Sequence, residues 1–171
     1  MLRPLKTNAK ESILVTSAGT IVAQGIMKCL RLANASTHGP NYRIIAVDMS
    51  PTAAGLYRGD AGVLVPPANS DDYIDAIVRL CREDSVKAVF VGSEEELSPL
   101  SDQAQMIERE SGALVVADRE AISVGRDKWK TFQYMKKHGL ACAASALPED
   151  RDKFVHDFGF PLVVKPREGH G

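Results

Sequence analysis

Residues 12–16 read Ser-Ile-Leu-Val-Thr, and residues 17–20 continue as Ser-Ala-Gly-Thr. The first five form a short apolar run with β-branched residues, which is typical of a strand buried in a parallel sheet. The next four are small and lead into a segment whose apolar residues recur at helical spacing. That stripe comprises Val22, Ile26, Cys29, Leu30 and Ala33. The sequence therefore predicts a strand, a tight turn and a helix.

The strand-and-helix alternation continues along the chain. Further apolar runs predict four more strands, at 42–49, 61–65, 86–91 and 113–117. Five such strands separated by helical patterns imply a Rossmann-like α/β fold, in which a parallel sheet carries helices on both faces. Ligands bind such sheets at the carboxyl ends of the strands. We therefore expect a site among the loops at 17–20, 48–54 and 92–96.

Two helical patterns follow the last of these strands, and the second is preceded by Asp127 as a cap and closed by Gly139. Beyond Gly139 the pattern predicts a helix at 149–158, a strand at 161–165 and a glycine-bearing loop. One helix and one strand cannot close a core of their own. We therefore predict a Rossmann-like domain at 1–139 and a fragment of a second, α+β domain at 140–171.

Bulk composition restricts the class of protein. The 171 residues are 44% apolar and 25% charged with a net charge of −1, as in soluble globular proteins, so we expect neither a nucleic-acid nor a membrane partner. The polar N-terminus does not resemble a secretory signal, and no apolar run approaches the ~20 residues of a membrane span. Cys29, Cys81 and Cys142 show no disulfide or zinc spacing. A cytoplasmic location is expected.

Candidate substrate-binding residues lie in two of the loops. Gly19 and Thr20 stand where backbone N–H groups at a helix start could bind an anion, although a tight turn explains them equally well and no GxGxxG or Walker motif is present. Asp48 ends the second predicted strand and suits a turn carboxylate better than a ribose ligand. Glu94, Glu95 and Glu96 follow the fourth predicted strand, where three adjacent glutamates usually form a solvated loop but one could bind an amine or hydroxyl. Glu94 and Glu95 are the candidates for this contact.

The lysines indicate a second candidate site. Lys128 follows the helix cap, and Lys165 ends the strand predicted at 161–165. An ammonium at either position is a point-charge partner for phosphate, although a lone lysine is more commonly a surface residue. With Gly169 and Gly171 in the adjacent loop, the two lysines outline a cofactor-binding site for a phosphate-bearing ligand.

Several motifs resemble a known superfamily. Asp127-Lys128, Lys137-His138-Gly139-Leu140 and the run Gly159-Phe160-Pro161-Leu162-Val163-Val164-Lys165-Pro166 are similar to ATP-grasp enzymes. Residues 1–139 resemble the Rossmann-like preATP-grasp domain. The stretches at 13–19 and 91–97 are similar to the carbamoyl-phosphate-synthase large-subunit-like branch.

The resemblance implies an ATP-dependent ligase. ATP would phosphorylate a small carboxylate, and an amine or similar nucleophile would attack the acyl phosphate. Lys128, Lys165, Gly169 and Gly171 would contact the nucleotide, and Mg²⁺ would assist with ligands expected beyond residue 171. No residue of this chain is assigned a catalytic or metal-ligating role.

The resemblance also suggests that these residues are only part of an enzyme. We expect the 171-residue polypeptide alone to lack ligase activity and to bind ATP weakly or not at all. An open edge of the incomplete second domain would favour self-association as a homodimer or pairing with a complementing ATP-grasp fragment.

Two other interpretations stay open from the sequence. The chain could be a non-catalytic Rossmann-like domain that binds a small molecule or a partner protein. A nicotinamide-dependent oxidoreductase is disfavoured by the missing glycine fingerprint.

Overall fold

A five-stranded parallel sheet forms the centre of the N-terminal part of the protein. The computed structural model describes residues 10–36 and 39–169 and divides the chain into two compact units, Met1–Ala117 and Asp118–Gly171. The strands are β1 (Glu11–Val15), β2 (Tyr42–Asp48), β3 (Ala61–Leu64), β4 (Val86–Phe90) and β5 (Leu114–Val115). They pair in parallel in the order β3-β2-β1-β4-β5. This arrangement confirms the predicted Rossmann-like α/β fold.

Helices cover both faces of this sheet. They are α1 (Ile21–Ala35), α2 (Tyr73–Glu83), α3 (Leu97–Asp102) and α4 (Ala104–Ser111), and a 3₁₀ turn (Ala54–Tyr57) lies between β2 and β3. Successive strand residues face opposite sides of a sheet. Leu14 accordingly joins the core beneath α2 and α4, whereas Ile13 and Val15 join the core beneath α1.

The buried face of α1 differs from the predicted stripe. Ala23, Met27 and Leu30 face the sheet, while Val22 is 58% exposed and Cys29 is exposed. The helix is apolar on most sides, so periodicity alone could not choose between two neighbouring faces.

The start of α3 also differs from the sequence pattern. Ser98-Pro99 suggests a cap followed by the first helical residue, but α3 begins at Leu97 after Glu96. Pro99 is therefore the third helical residue, a position where the missing N–H would have had no partner within the helix.

The second unit is helical in the residues that the structure describes. Its helices are α5 (Arg119–Arg126), α6 (Lys128–Lys137) and α7 (Arg151–Phe158). The capping of α6 by Asp127 and its termination before Gly139, where φ is +66°, are confirmed. The division into domains at Gly139 stays a prediction.

The prediction of a strand at 161–165 is wrong. Residues 161–165 carry no strand pairing, and Val163 and Val164 are 81% and 94% exposed. A β-branched run satisfies its backbone as a strand only when a neighbouring strand supplies the ladder. No strand is present in residues 118–169 to do so.

Candidate functional site

The loops at the carboxyl ends of β1, β2 and β4 meet at one edge of the sheet. β1 and β4 lie side by side, and the chain continues from β1 to β2 on one side of this pair and from β4 to β5 on the other. Doubly wound sheets bind ligands at such a point. The structure brings together the loops that the sequence singled out, and their contacts define what each residue can do.

The turn after β1 is held by its neighbours on both sides. Thr20 caps α1 by accepting a hydrogen bond from Ala23 N at 3.1 Å, and its hydroxyl donates to the carbonyl oxygen of Gly92 at 2.7 Å. The N–H of Gly19 donates to the carboxylate of Asp48 at 2.8 Å. Gly19 and Thr20 therefore lie at the edge of the sheet, and the Gly19 N–H and the Thr20 hydroxyl form hydrogen bonds within the protein.

Asp48 is a turn carboxylate, as its sequence position favoured. One oxygen accepts the Gly19 N–H and the other accepts the N–H of Ser50 at 2.9 Å. The carboxylate thus occupies the side of the glycine turn on which an anion would otherwise bind. This arrangement argues against a dinucleotide pyrophosphate at Gly19.

The third glutamate after β4 is the buried one, although the sequence pattern favoured a solvated loop for all three glutamates. Glu96 is only 4% exposed, and its two oxygens accept hydrogen bonds from Thr16 Oγ1 at 2.5 Å and from Tyr73 Oη at 2.7 Å. Burial, together with the adjacent Glu96 carboxylate, raises the pKa of Tyr73 far above its ordinary value. Tyr73 therefore remains a neutral donor to Glu96.

Glu94 and Glu95, the predicted substrate-binding residues, lie closer to the surface. Glu94 is half-buried and Glu95 is exposed. No local signal distinguished Glu96 from these neighbours, because its partner Thr16 is 80 residues away in the sequence.

Gly92 allows the chain to pass very close to β1. A Cβ on Gly92 would lie 2.0 Å from the backbone oxygen of Thr16. The N–H of Gly92 also donates to Thr16 Oγ1 at 3.1 Å. A larger residue would push the loop after β4 away from β1.

A separate candidate site lies at the start of α6 in the second unit. Lys128 is half-buried, and its ammonium donates to the carbonyl oxygen of Gly169 at 2.8 Å. Its backbone N–H donates to the carbonyl oxygen of Arg167 at 2.9 Å. Two of the predicted cofactor-binding residues, Lys128 and Gly169, are therefore in contact.

An ion pair that the sequence analysis did not anticipate lies beside this contact. Arg167 donates through Nε to Asp127 Oδ1 at 3.2 Å and through Nη2 to Asp127 Oδ2. Oδ1 of Asp127 also accepts from the N–H groups of Trp129 at 2.9 Å and Lys130 at 3.3 Å. The hydrogen bond from Arg167 lowers the pKa of Asp127 to about 2, against the opposing effect of burial.

The other two predicted cofactor-binding residues are not part of this cluster. Lys165 is exposed and forms no hydrogen bond or ion pair with the residues that the structure describes. Gly171 lies outside the described residues. The cluster around α6 therefore consists of Asp127, Lys128, Arg167 and Gly169.

Neither a metal-ligand cluster nor a membrane-spanning helix is found in the part of the chain that the structure describes. In residues 10–36 and 39–169, no group of three or more His, Cys, Asp and Glu side chains is placed to hold a metal ion. No helix in the same ranges has the length and apolar character needed to cross a bilayer.

Comparisons with known proteins agree with the fold and add a family. The fold matches N5-carboxyaminoimidazole synthetase from Staphylococcus aureus in complex with ADP, with a TM-score of 0.66 and 15% identity. A second structure of that enzyme gives a TM-score of 0.64 and 16% identity. Identities this low establish similarity of fold alone.

The coverage of these matches is uneven. Each covers 95% of this chain but 41% of the synthetase, so the chain spans about two fifths of the length of these structures. No curated protein matches the chain by sequence.

The family match rests on the sheet-containing unit. The model of the family described as "PylC-like, N-terminal domain" matches residues 13–116, which is more than half of the chain. That range contains β2 to β5, the last three residues of β1 and the loops at the sheet edge. The chain therefore belongs to the PylC-like N-terminal domain family, the preATP-grasp type of domain that the resemblance of residues 1–139 predicted.

Proposed function

We propose that this chain is the N-terminal portion of an ATP-dependent ligase of the ATP-grasp type. The complete enzyme activates a small carboxylate as an acyl phosphate, which an amine or similar nucleophile then attacks. The two stretches at 13–19 and 91–97 favour the carbamoyl-phosphate-synthase-like branch of these ligases, and a cytoplasmic location suits the three free cysteines.

The contact between Lys128 and Gly169 carries this proposal. The acceptor of the Lys128 ammonium is a neutral carbonyl oxygen, so the contact leaves the positive charge uncompensated. A lysine beside a glycine-bearing loop offers point charge and backbone to a phosphate group. The motif that contains Lys128 and the segment that leads into the loop of Gly169 resemble ATP-grasp enzymes, and this supports a nucleotide site that begins here.

Phosphoryl transfer requires little covalent chemistry from the protein and depends on positioning and charge stabilisation. Lys128 and Gly169 supply part of that environment. Lys165 and Gly171 are proposed as further nucleotide contacts, and Gly19, Thr20, Glu94 and Glu95 as contacts to the substrate. Mg²⁺ is proposed from the reaction class, and no ligand for it is assigned in this chain.

The proposed activity can be tested with the protein in the form in which its cells express it. Hydroxylamine converts acyl phosphates into hydroxamates. When the protein is incubated with ATP, Mg²⁺, hydroxylamine and one carboxylic acid at a time, at least one acid of a panel should give a hydroxamate. Lys128→Met should remove this product and ATP binding together. Absence of saturable ATP binding by the expressed protein at millimolar nucleotide would contradict the proposal.

The 171-residue polypeptide provides a second comparison. We propose that by itself it has no ligase activity and binds ATP weakly or not at all, because Lys128 and Gly169 are only part of a phosphate site. Tight, saturable ATP binding by this polypeptide in a fluorescence titration would contradict that statement. A parallel titration with NAD should show no binding, because the Asp48 carboxylate occupies the glycine turn.

A further inference from the structure

We propose that the Asp127–Arg167 ion pair is a positioning device, which fastens residues 167–169 to the first turn of α6 and so presents the Lys128 ammonium to a polyphosphate. The phosphate part of this inference rests on the proposed function. The fastening itself can be measured without any ligand.

Three contacts join the loop to the helix, and they share neighbouring atoms. The Arg167 side chain binds the Asp127 carboxylate, the Arg167 carbonyl accepts the N–H of Lys128, and the Gly169 carbonyl accepts the Lys128 ammonium. The side-chain pair thus connects the same two segments as the two contacts made by Lys128. Arg167 forms a two-pronged contact with the carboxylate, which fixes direction as well as distance.

The pair also determines which groups remain available to a ligand. The carboxylate of Asp127 is 4% exposed and receives the Arg167 guanidinium together with the N–H groups of Trp129 and Lys130. With Asp127 occupied in this way, the Lys128 ammonium contacts a neutral carbonyl. An incoming phosphate oxygen can replace that carbonyl as the acceptor of the ammonium.

A simple charge effect and a positioning effect predict opposite results for one substitution. Asp127→Asn removes a negative charge from the cluster, so electrostatics alone would make a polyphosphate bind more tightly. Positioning predicts weaker binding, because the loop is no longer held. Asparagine is also a good N-cap, so the start of α6 should be preserved in this variant.

The first measurement is backbone amide hydrogen exchange by NMR on the 171-residue chain without ligand. In Asp127→Asn and Arg167→Ala the Lys128 amide should exchange about tenfold faster, whereas the amides within α6 should be unchanged in Asp127→Asn. Arg167→Lys should fall between these variants and wild type, since a lysine cannot make the two-pronged contact. Unchanged exchange at Lys128 in both variants would overturn the proposal.

The second measurement is a calorimetric titration with inorganic tripolyphosphate, in which the same substitutions are made in the protein as its cells express it. The Asp127→Asn protein should bind tripolyphosphate about tenfold more weakly than wild type, although the substitution removes a negative charge. Asp152→Asn is the matched control, because it removes a charge of the same sign from an exposed ion pair with Arg151 in the same unit. Its affinity should equal that of wild type.

The outcomes separate the two proposals. Equal or tighter tripolyphosphate binding by Asp127→Asn overturns the positioning role. Faster exchange at Lys128 with no ATP binding by the expressed protein would support the fastening of the loop and contradict the proposed ligase function.

Discussion

The hydroxyl of Thr16 lies 2.5 Å from the carboxylate of Glu96, and both groups are buried. Thr16 follows β1, and Glu96 immediately precedes α3. The other oxygen of Glu96 accepts the hydroxyl of Tyr73 at the first turn of α2. A single carboxylate therefore connects β1, α2 and the loop after β4 at the edge of the sheet that carries the candidate site.

Replacing Glu96 should destabilise the sheet-containing unit. Glu96→Ala leaves the Tyr73 and Thr16 hydroxyls without their acceptor, which costs about 3 kcal/mol when buried polar groups lose a charged partner. Glu96→Gln keeps the shape and one acceptor oxygen, so the loss should be about half as large. Urea unfolding followed by circular dichroism measures both values.

The exposed neighbour provides the control for that experiment. Glu95→Gln should change the free energy of unfolding by less than about 0.5 kcal/mol, as surface substitutions usually do. A Glu96→Ala protein as stable as Glu95→Gln would show that the buried hydrogen bonds contribute little.

Two glycines of the same unit should respond in opposite ways to alanine. In Gly92→Ala the new Cβ would lie 2.0 Å from the Thr16 oxygen, so β1 and the loop must separate, at a cost of about 3 kcal/mol. Gly25 lies within α1 and a Cβ there meets nothing within 4 Å. Gly25→Ala should therefore stabilise the protein by about 0.5–1 kcal/mol through helix propensity.

The melting temperatures of the two variants measure both effects. Gly92→Ala is expected to melt at a lower temperature than wild type and Gly25→Ala at a higher one. A lower melting temperature for Gly25→Ala would mean that this residue is needed for close packing.

Local patterns predicted the fold well because each strand carries its own apolar run. The runs at 42–49 and 86–91 became β2 and β4, and the small-residue turn after β1 lies at the sheet edge as expected. The strand predicted at 161–165 failed for a non-local reason, since strand structure depends on a partner as well as on β-branched residues.

The site was predicted less completely, and the missed contacts explain why. Glu96 and Thr16 are 80 residues apart, and Asp127 and Arg167 are 40 apart. No helical or strand periodicity relates such positions. Lys128 and Gly169 were assigned to one candidate site because an ammonium and a glycine-bearing loop both suit a phosphate group, and the resemblance to ATP-grasp enzymes supported that assignment.

Asp48 should contribute to stability through the two N–H groups that it accepts. Asp48→Ala removes the acceptor for Gly19 and Ser50, and because the residue is half-buried we expect a loss of about 1–2 kcal/mol. Asp48→Asn retains one acceptor oxygen and should lose less. Urea unfolding measures the difference, and equal stability of Asp48→Ala and wild type would show that water replaces the carboxylate without cost.

The three cysteines should differ in reactivity. Burial, with a smaller effect from Glu110, raises the pKa of the Cys81 thiol to about 11, whereas Cys29 and Cys142 are exposed. Because thiolates are the reactive form, a thiol-specific disulfide reagent at about pH 8 should modify two cysteines in the folded protein and a third only after urea is added. Rapid reaction of all three without denaturant would contradict the burial of Cys81.

Acid should loosen the second unit at the Asp127–Arg167 pair. Asp127 has a pKa of about 2 in the folded protein, against an ordinary value of 3.8, so its stabilising effect is complete above about pH 4 and is lost as the pH falls towards 2. Trp129, the single tryptophan, donates its backbone N–H to the same carboxylate and provides a fluorescence signal for this region. Wild type and the Asp152→Asn control should show a fluorescence change between about pH 4 and 2. Asp127→Asn has no carboxyl group to protonate there and should lack that change, whereas an identical change in Asp127→Asn would assign the acid transition to other carboxylates.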